Sequence, residues 1–488
     1  MSYFELTPNR ALASGSAPDS PGSSIFDLPT QPHRLSEPTS SHPTPTRTES
    51  KEEEEEHPTF IVLSGGTGCN SIVAAFGENT CYVLPVSDDG GSSSEIIRVL
   101  GGPSIGDIRS RLIRLIPPAP PSSPLDAIRN LLAYRLPARC TEREARDEWR
   151  DIVEGRSPLW GGIPNDRKEM IRGFLVHFES EVLKRAHKNF SFLNGSIGNY
   201  FLSAAQEFFR SLPSAIFLFA SITNSQANIL PVIVTNHTVT IAAELENGVR
   251  LVGQCEISHP VRQSQSGLSI TLNEDEDPMS STGDELDGTI GKPSNVLFEA
   301  EKKDEYVPLE SGITRLYYIN AYGNEIHPSP NPDYLRNLSQ KDVLVYSCGS
   351  LWTSIMPCLA LRGVADGIAR SRSLRAKVLL LNSQNDRETN GYTALDYINA
   401  IVKTLNSSYR APYSGLRDSS TTYPVSAFIT HLVYLDGTAV EVDEPSIMGR
   451  GVRCIKVEGT RDEKTGMPKF NAECVRRAIE EILAESDP

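Results

Sequence analysis

The first sustained apolar run of the chain, Phe60 to Leu63, is followed by "SGGTGCN" and then by "SIVAAFG". This pattern predicts a strand, a glycine-rich turn and a short helix, with Asn70 or Ser71 in the capping position. "CYVLPVS" (81–87) predicts a second buried strand, and "GDIRSRLIRLI" (106–116) a helix with Ile108, Leu112 and Leu115 or Ile116 on one face. Strand and helix in alternation argue for a parallel sheet with helices packed on it.

"PPAPPSSP" (117–124) interrupts the alternation, and the chain then reads as mostly helical to about residue 211. Within "DRKEMIRGFLVHFESEVLKRA", Met170, Phe174, Phe178, Val182 and Ala186 recur every fourth residue, an apolar stripe expected to face the core. His177 and His187 fall off that stripe and are expected to face solvent rather than bind metal. "AIFLFAS" (215–221) reads as a strand, and in "VTIAAELENGVRLVGQCEIS" the Asn247-Gly248 pair between alternating runs predicts a hairpin. "ITRLYYINAYGN" (313–324) resumes a strand pattern. The last third returns to alternation: "DVLVYSCGS", "KVLLLN", "AFITHLVYLD" and "VRCIKVEG" as strands, with "SIMPCLALRGVADGIAR", "GYTALDYINAIVKTL" and "NAECVRRAIEEILAE" as helices. Neither half alone supplies the usual number of strands, so both are expected to share one sheet. The fold class is therefore α/β: a mostly parallel sheet with helices on both faces, an inserted helical subdomain at about 120–211, and a β-hairpin.

Composition draws the outer limits of that domain. Residues 1–57 are rich in Ser, Pro and Thr and end in "KEEEEEH", too polar to offset chain entropy by burial, and are expected to form a disordered tail. Residues 262–308, with "NEDEDPMSSTGDELDGTIGKPS", are expected to be a disordered acidic insertion within a single domain spanning 58–488. A net charge of -15 disfavours nucleic acid or anionic membrane as a partner. The eight cysteines include no CxxC pair, so neither a zinc ribbon nor a disulfide framework is indicated, and a reducing compartment follows. With no apolar run of membrane-spanning length and no signal-peptide pattern at "MSYFELTPNR", the expected location is the cytoplasm.

Candidate chemistry lies in the turns that follow the predicted strands, where open α/β sheets bind ligands. Gly65, Gly66, Thr67 and Gly68 would let backbone N–H groups approach a phosphate at a helix N-terminus. Asp88 and Asp89, ending the second strand, could hold Mg²⁺ or bond a hydroxyl; two solvated side chains or a helix cap would leave the same pattern. Gly90, Gly91 and Ser92 offer a second anion nest. In "GPSIGDIRSRL", Asp107 could cap the helix or pair elsewhere, while Arg109 or Arg111 offers a fork for phosphate. "SCGSLWTS" (347–354) supplies a fourth such turn through Gly349, Ser350, Thr353 and Ser354.

Taken together, "GGTG" (65–68), "SDDGGSS" (87–93), "GDIR" (106–109), "SIGN" (196–199), "GSLWTS" (349–354) and "ETNGYTALD" (388–396) resemble the CofD-like family of 2-phospho-L-lactate transferases and gluconeogenesis factors. "DDGGSS" with "GDIR" is more similar to the gluconeogenesis-factor branch, which implies a protein that binds a nucleotide or a uridine-diphosphate sugar and regulates carbon metabolism. The alternative the resemblance implies is a Mg²⁺-dependent transferase moving a phospholactyl-like group from a nucleotide diphosphate donor to an acceptor hydroxyl, with Asp88 and Asp89 at the acceptor or metal position. Either way the implied fold is Rossmann-like, with Ser196 and Asn199 lining the same cleft; a homodimer is compatible with sheets of this kind. The sequence departs from the family pattern at Ser64, at Ser347-Cys348, at Gly195 and at Tyr397, where the family has Gly, Gly-Pro, His and His. The two lost imidazoles bear on acid/base chemistry more than on backbone phosphate binding.

Overall fold

The computed structural model of the chain describes residues 57–66, 68–226, 228–259, 307–407 and 422–485. The expected N-terminal tail and acidic insertion therefore lie outside the described residues, apart from their edges, as does Thr67. Strands β1 (Phe60–Leu63) and β2 (Thr80–Leu84) are buried at every position, the pattern of parallel strands covered on both faces. Between them the expected short helix is two 3₁₀ turns, Gly68–Ser71 and Val73–Ala75. Asn70 caps neither; its Nδ2 donates to Ser110 Oγ at 3.3 Å.

Helices α1 (Gly91–Val99) and α2 (Gly106–Arg114) follow β2. The helical subdomain comprises α3 (Pro124–Ala133), α4 (Glu142–Val153), α5 (Asn165–Lys184), α6 (Ile197–Phe209) and α7 (Leu212–Ile222). Here the structure corrects two expectations. Residues 215–221 are not a strand but the body of α7, started by the Ser211 side chain accepting from Ser214 N–H and by Pro213 in the first turn. Its buried set, Leu212, Ala215, Ile216, Phe219 and Ile222, has helical spacing, whereas Phe217 is 74% exposed. On α5 the buried face is Ile171, Leu175, Phe178 and Val182, while Met170 is exposed. A strict step of four drifts about 40° per step around a helix of 3.6 residues per turn, so steps of four and three must alternate to stay on one face.

The chain re-enters the sheet at β3 (Asn228–Pro231). It then builds an antiparallel sheet from β4 (Thr240–Leu245), β5 (Arg250–Val252), β6 (Ile313–Ile319) and β7 (Glu325–Ile326), in the order β5-β4-β6-β7. The Asn247-Gly248 turn joins β4 to β5 as the sequence indicates, with Gly248 at φ +83°. "QCEIS", read as the end of that strand pair, is a short helix, α8 (Gln254–Ser258). The second half alternates α9 (Pro332–Leu338), β8 (Val343–Tyr346), a π-helical turn (Leu351–Ile355), α10 (Met356–Leu359), α11 (Val364–Ala369), β9 (Ala376–Leu380), α12 (Ala394–Ser407), β10 (His431–Leu435), α13 (Glu444–Met448) and β11 (Arg453–Val457). A small hairpin, β12 (Thr460–Arg461) and β13 (Pro468–Lys469), leads into α14 (Ala472–Ala484).

All seven strands of the main sheet are parallel, in the order β11-β10-β9-β8-β1-β2-β3. From β1 the chain steps outward through β2 to β3, then returns to the other side of β1 with β8 and steps outward again to β11. The strand order thus reverses between β1 and β8, and a crevice opens there above the carboxyl ends. A single apolar core joins the two halves of the sheet and the helical subdomain. No helix among the described residues is long and apolar enough to cross a membrane.

Candidate functional site

The glycine-rich loop after β1 is bare because its neighbours leave no room for side chains. A Cβ on Gly66 would fall 2.3 Å from Asp107 Oδ1 and 2.8 Å from Asp107 Cα. One on Gly68 would lie 2.6 Å from the Cys348 carbonyl oxygen and 3.0 Å from Gly349 Cα. The turn after β1, the start of α2 and the turn after β8 are therefore in backbone contact across the switch point. Gly65 joins them, since its Cβ position lies 2.4 Å from Ser354 Oγ. The β8 turn is pinned from the next strand end: Asn382 Oδ1 accepts from Gly349 N–H at 3.0 Å and its Nδ2 donates to Gly349 O at 2.7 Å. Gly349 takes φ +140° there. Asn382, at the end of β9, is a site residue that the sequence did not single out.

Three carboxylates, Asp88, Asp89 and Asp107, influence one another at these strand-end turns. Asp88 is half-buried at the end of β2, with Oδ1 accepting from Gly90 N–H at 2.9 Å and Oδ2 3.7 Å from the Cβ position of Gly106. Its sequence neighbour Asp89 turns the other way, and its Oδ1 accepts from Cys255 N–H at 2.9 Å at the start of α8. The second acid facing Asp88 is Asp107, on the first turn of α2. Burial pushes the Asp88 carboxyl up to about 6. Burial, with the charge of Asp88 added, pushes Asp107 up to about 8. Neighbouring half-buried carboxyl groups whose charges raise one another resist ionising together.

Gly90 precedes α1 as its N-cap, Gly91 opens it at φ +55°, and Ser92 is buried. Ser92 Oγ accepts from Asn199 Nδ2 at 2.6 Å, which ties "DDGGSS" to "SIGN" across the subdomain boundary. Ser196 caps α6 by accepting from Asn199 N–H. Both residues of "SIGN" are thus buried supports of the wall. Ser93, also buried, packs its Oγ 2.7 Å from the Cβ position of Gly106 and so brings α1 against the start of α2. At Gly195, a Cβ would meet Tyr200 Oη at 1.8 Å, so the tyrosine closes the space where the family pattern has an imidazole. At the second departure, Tyr397 is buried, with its Oη within hydrogen-bond distance of both Asn385 Oδ1 and Thr389 Oγ1 at 3.0 Å.

Arg109 does not present a free fork to the crevice. Its Nη2 donates to the Leu132 and Ala133 carbonyls at 3.0 and 2.8 Å, tying α2 to the end of α3, and burial lowers its guanidinium to about 10. Arg111 is buried beneath the β1 loop, with Nη2 donating to Ser64 Oγ at 3.2 Å and Gly65 O at 3.1 Å. The π-helical turn after β8 is already held by a carboxyl group. Glu388 accepts from Trp352 N–H at 3.0 Å, from Thr353 N–H at 3.2 Å and from Thr353 Oγ1 at 2.6 Å. Burial pushes the Glu388 carboxyl up to about 8. Thr353, expected at a phosphate, instead anchors its own turn, and Trp352 is a packed side chain with its Nε1 on Tyr392 Oη. Gly349, Ser350 and Ser354 remain at the crevice.

Away from the crevice, His177 is half-exposed and meets a carboxylate. Its Nε2 is 2.6 Å from Glu207 Oε2, and potential ligand atoms of His177, Glu181 and Glu207 lie within 4.8 Å of one another. These carboxylates also pair with Lys184, Arg185 and Arg210, making a charge network between α5 and α6.

A doubly wound parallel sheet, with bare turns meeting at its switch point and two acids beside them, defines a Rossmann-like α/β protein. The chain belongs to the CofD family: residues 60–457 match the family model described as 2-phospho-L-lactate transferase CofD. It is 36% identical over 430 residues to an uncharacterized protein of Saccharomyces cerevisiae, covering 81% of this chain and 94% of that protein. It is 21% identical over 345 residues to a protein named gluconeogenesis factor from Halalkalibacterium halodurans, covering 70% of this chain and 72% of the relative. A crystal structure of a UPF0052 family member from Bacillus halodurans superposes with a TM-score of 0.54 at 18% identity, covering 86% of this chain and 99% of that one.

Proposed function

We propose that the crevice between β1 and β8 binds a nucleotide or nucleotide sugar through its diphosphate, and that the protein regulates carbon metabolism in the manner the name gluconeogenesis factor implies. The observation that carries this reading is the close approach of Gly66 to Asp107 at the start of α2 and of Gly68 to Cys348 and Gly349, which gathers the backbone of three turns at the switch point. Backbone N–H groups recognise phosphate without a dedicated cation, which suits a chain whose Arg109 is engaged elsewhere and whose Thr353 holds Glu388. The absence of an imidazole at Gly195 and Tyr397 fits binding without acid/base chemistry.

A second reading, a Mg²⁺-dependent transferase, is favoured by the raised carboxyls of Asp88 and Asp107. Their proximity and their resistance to ionising together suit a hard cation. Asp88, with Asp89 or Asp107, would hold Mg²⁺, and the ion when bound would neutralise diphosphate charge. The residues themselves would orient the donor, with Asp107 fixing Gly66 and Asp88 fixing the turn into α1.

A thermal-shift panel of uridine and guanosine diphosphates and their sugars, with and without Mg²⁺, separates the two readings. Stabilisation by a nucleotide sugar without metal is the expected result, because a ligand that binds only the native state must raise its melting temperature. A shift that requires Mg²⁺ would favour the transferase. No shift with any ligand would overturn both.

A further inference from the structure

Arg111 is fully buried, and a guanidinium carries five N–H donors. Only Nη2 is engaged, by Ser64 Oγ and Gly65 O; Nε and Nη1 have no hydrogen-bond partner among the described residues. Both acceptors are neutral. Tyr82 places its ring 5.0 Å from the guanidinium carbon, and no carboxylate lies within ion-pair distance among the described residues. Asp107, one helical turn earlier, feels the charge of Arg111 without pairing with it. A buried cation without a counter-ion is costly, as are buried donors without acceptors. Glu95, by contrast, is buried against Arg98, and Arg109 places Nη2 on two carbonyls of α3. Arg111 sits directly under the loop after β1.

Resting on the diphosphate reading of that crevice, we propose that Arg111 is the built-in counter-charge for the bound diphosphate. Sealed behind Gly65, it acts through the loop rather than by contact, a positioning residue whose field selects ligands by their charge. In a low-dielectric interior such a charge is little screened, and it adds to the partial positive charge of the loop N–H groups. The ligand in turn supplies the negative charge that the fold withholds. Arg109, with its fork on carbonyls of α3, does not take this role.

Calorimetric titration of nucleoside, nucleoside monophosphate and nucleoside diphosphate, in the uridine and guanosine series, tests the assignment on wild type, Arg111→Lys and Arg111→Met. The charge ladder is the signature: Arg111→Met should weaken the diphosphate by about tenfold to a hundredfold, weaken the monophosphate less and leave the nucleoside unchanged. Arg111→Lys should keep the ladder. A purely structural arginine would weaken all three ligands alike in both variants, and that result, or an unchanged ladder in Arg111→Met, overturns the proposal while leaving the crevice reading intact. If Arg111→Met does not fold, Arg111→Gln carries the same comparison. Failure of wild type to bind any phosphorylated member would overturn the crevice reading and this inference together.

Discussion

Asp107 is a carboxyl group that this fold favours in its protonated form. Its ordinary value of 3.8 is pushed up to about 8, so the folded state binds a proton that the unfolded chain has released. Stability from this group is complete below pH 3.8 and is lost as pH rises through about 8. Calorimetric melting of Asp107→Asn across that window should show a flatter decline than wild type; equal slopes would contradict the assignment. Glu388 acts differently, because its acceptors hold a turn rather than a ligand. Glu388→Ala should destabilise by about 3 kcal/mol by orphaning buried donors, and Glu388→Gln by under about 1 kcal/mol, as read from urea unfolding. Of the residues expected at the site, Asp88 and the glycines were legible as strand-end turn residues. The hold of Cys255 N–H on Asp89 was not legible, because the two lie 166 positions apart along the chain.

Among the elements, the strands were the most legible, since the main sheet buries whole runs such as "FIVL" and "HLVYL". The same rule misled at α7, which is apolar on enough sides that "AIFLFAS" alone resembles a buried strand; the Ser211 and Pro213 start signals were the cue against it. The hairpin at Asn247-Gly248 was legible because its turn chemistry is local. At the β1 loop, local sequence announces flexibility but not its cause. The cause is close approach of α2, so Gly66→Ala should destabilise by about 1–3 kcal/mol and abolish the ligand-induced rise in melting temperature. Retention of both in a differential scan would show that the contact between loop and helix is not needed.

For the whole molecule, alternation of strand and helix was enough to indicate one shared sheet, and the strand order then places the crevice. The meeting of the two turns was not legible, because Gly68 and Cys348 are 280 positions apart and touch only through the β1–β8 pairing. A cavity of about 330 Å³ lined by Val73, Tyr82, Arg114 and Pro117 offers a competing location for a ligand. Amide hydrogen exchange with and without a saturating uridine-diphosphate sugar decides between them most directly. The crevice account predicts new protection at residues 64–68, 88–93 and 347–350, with none around 73–78. Protection confined to residues 73–78 and 114–118, or absent altogether, would contradict it.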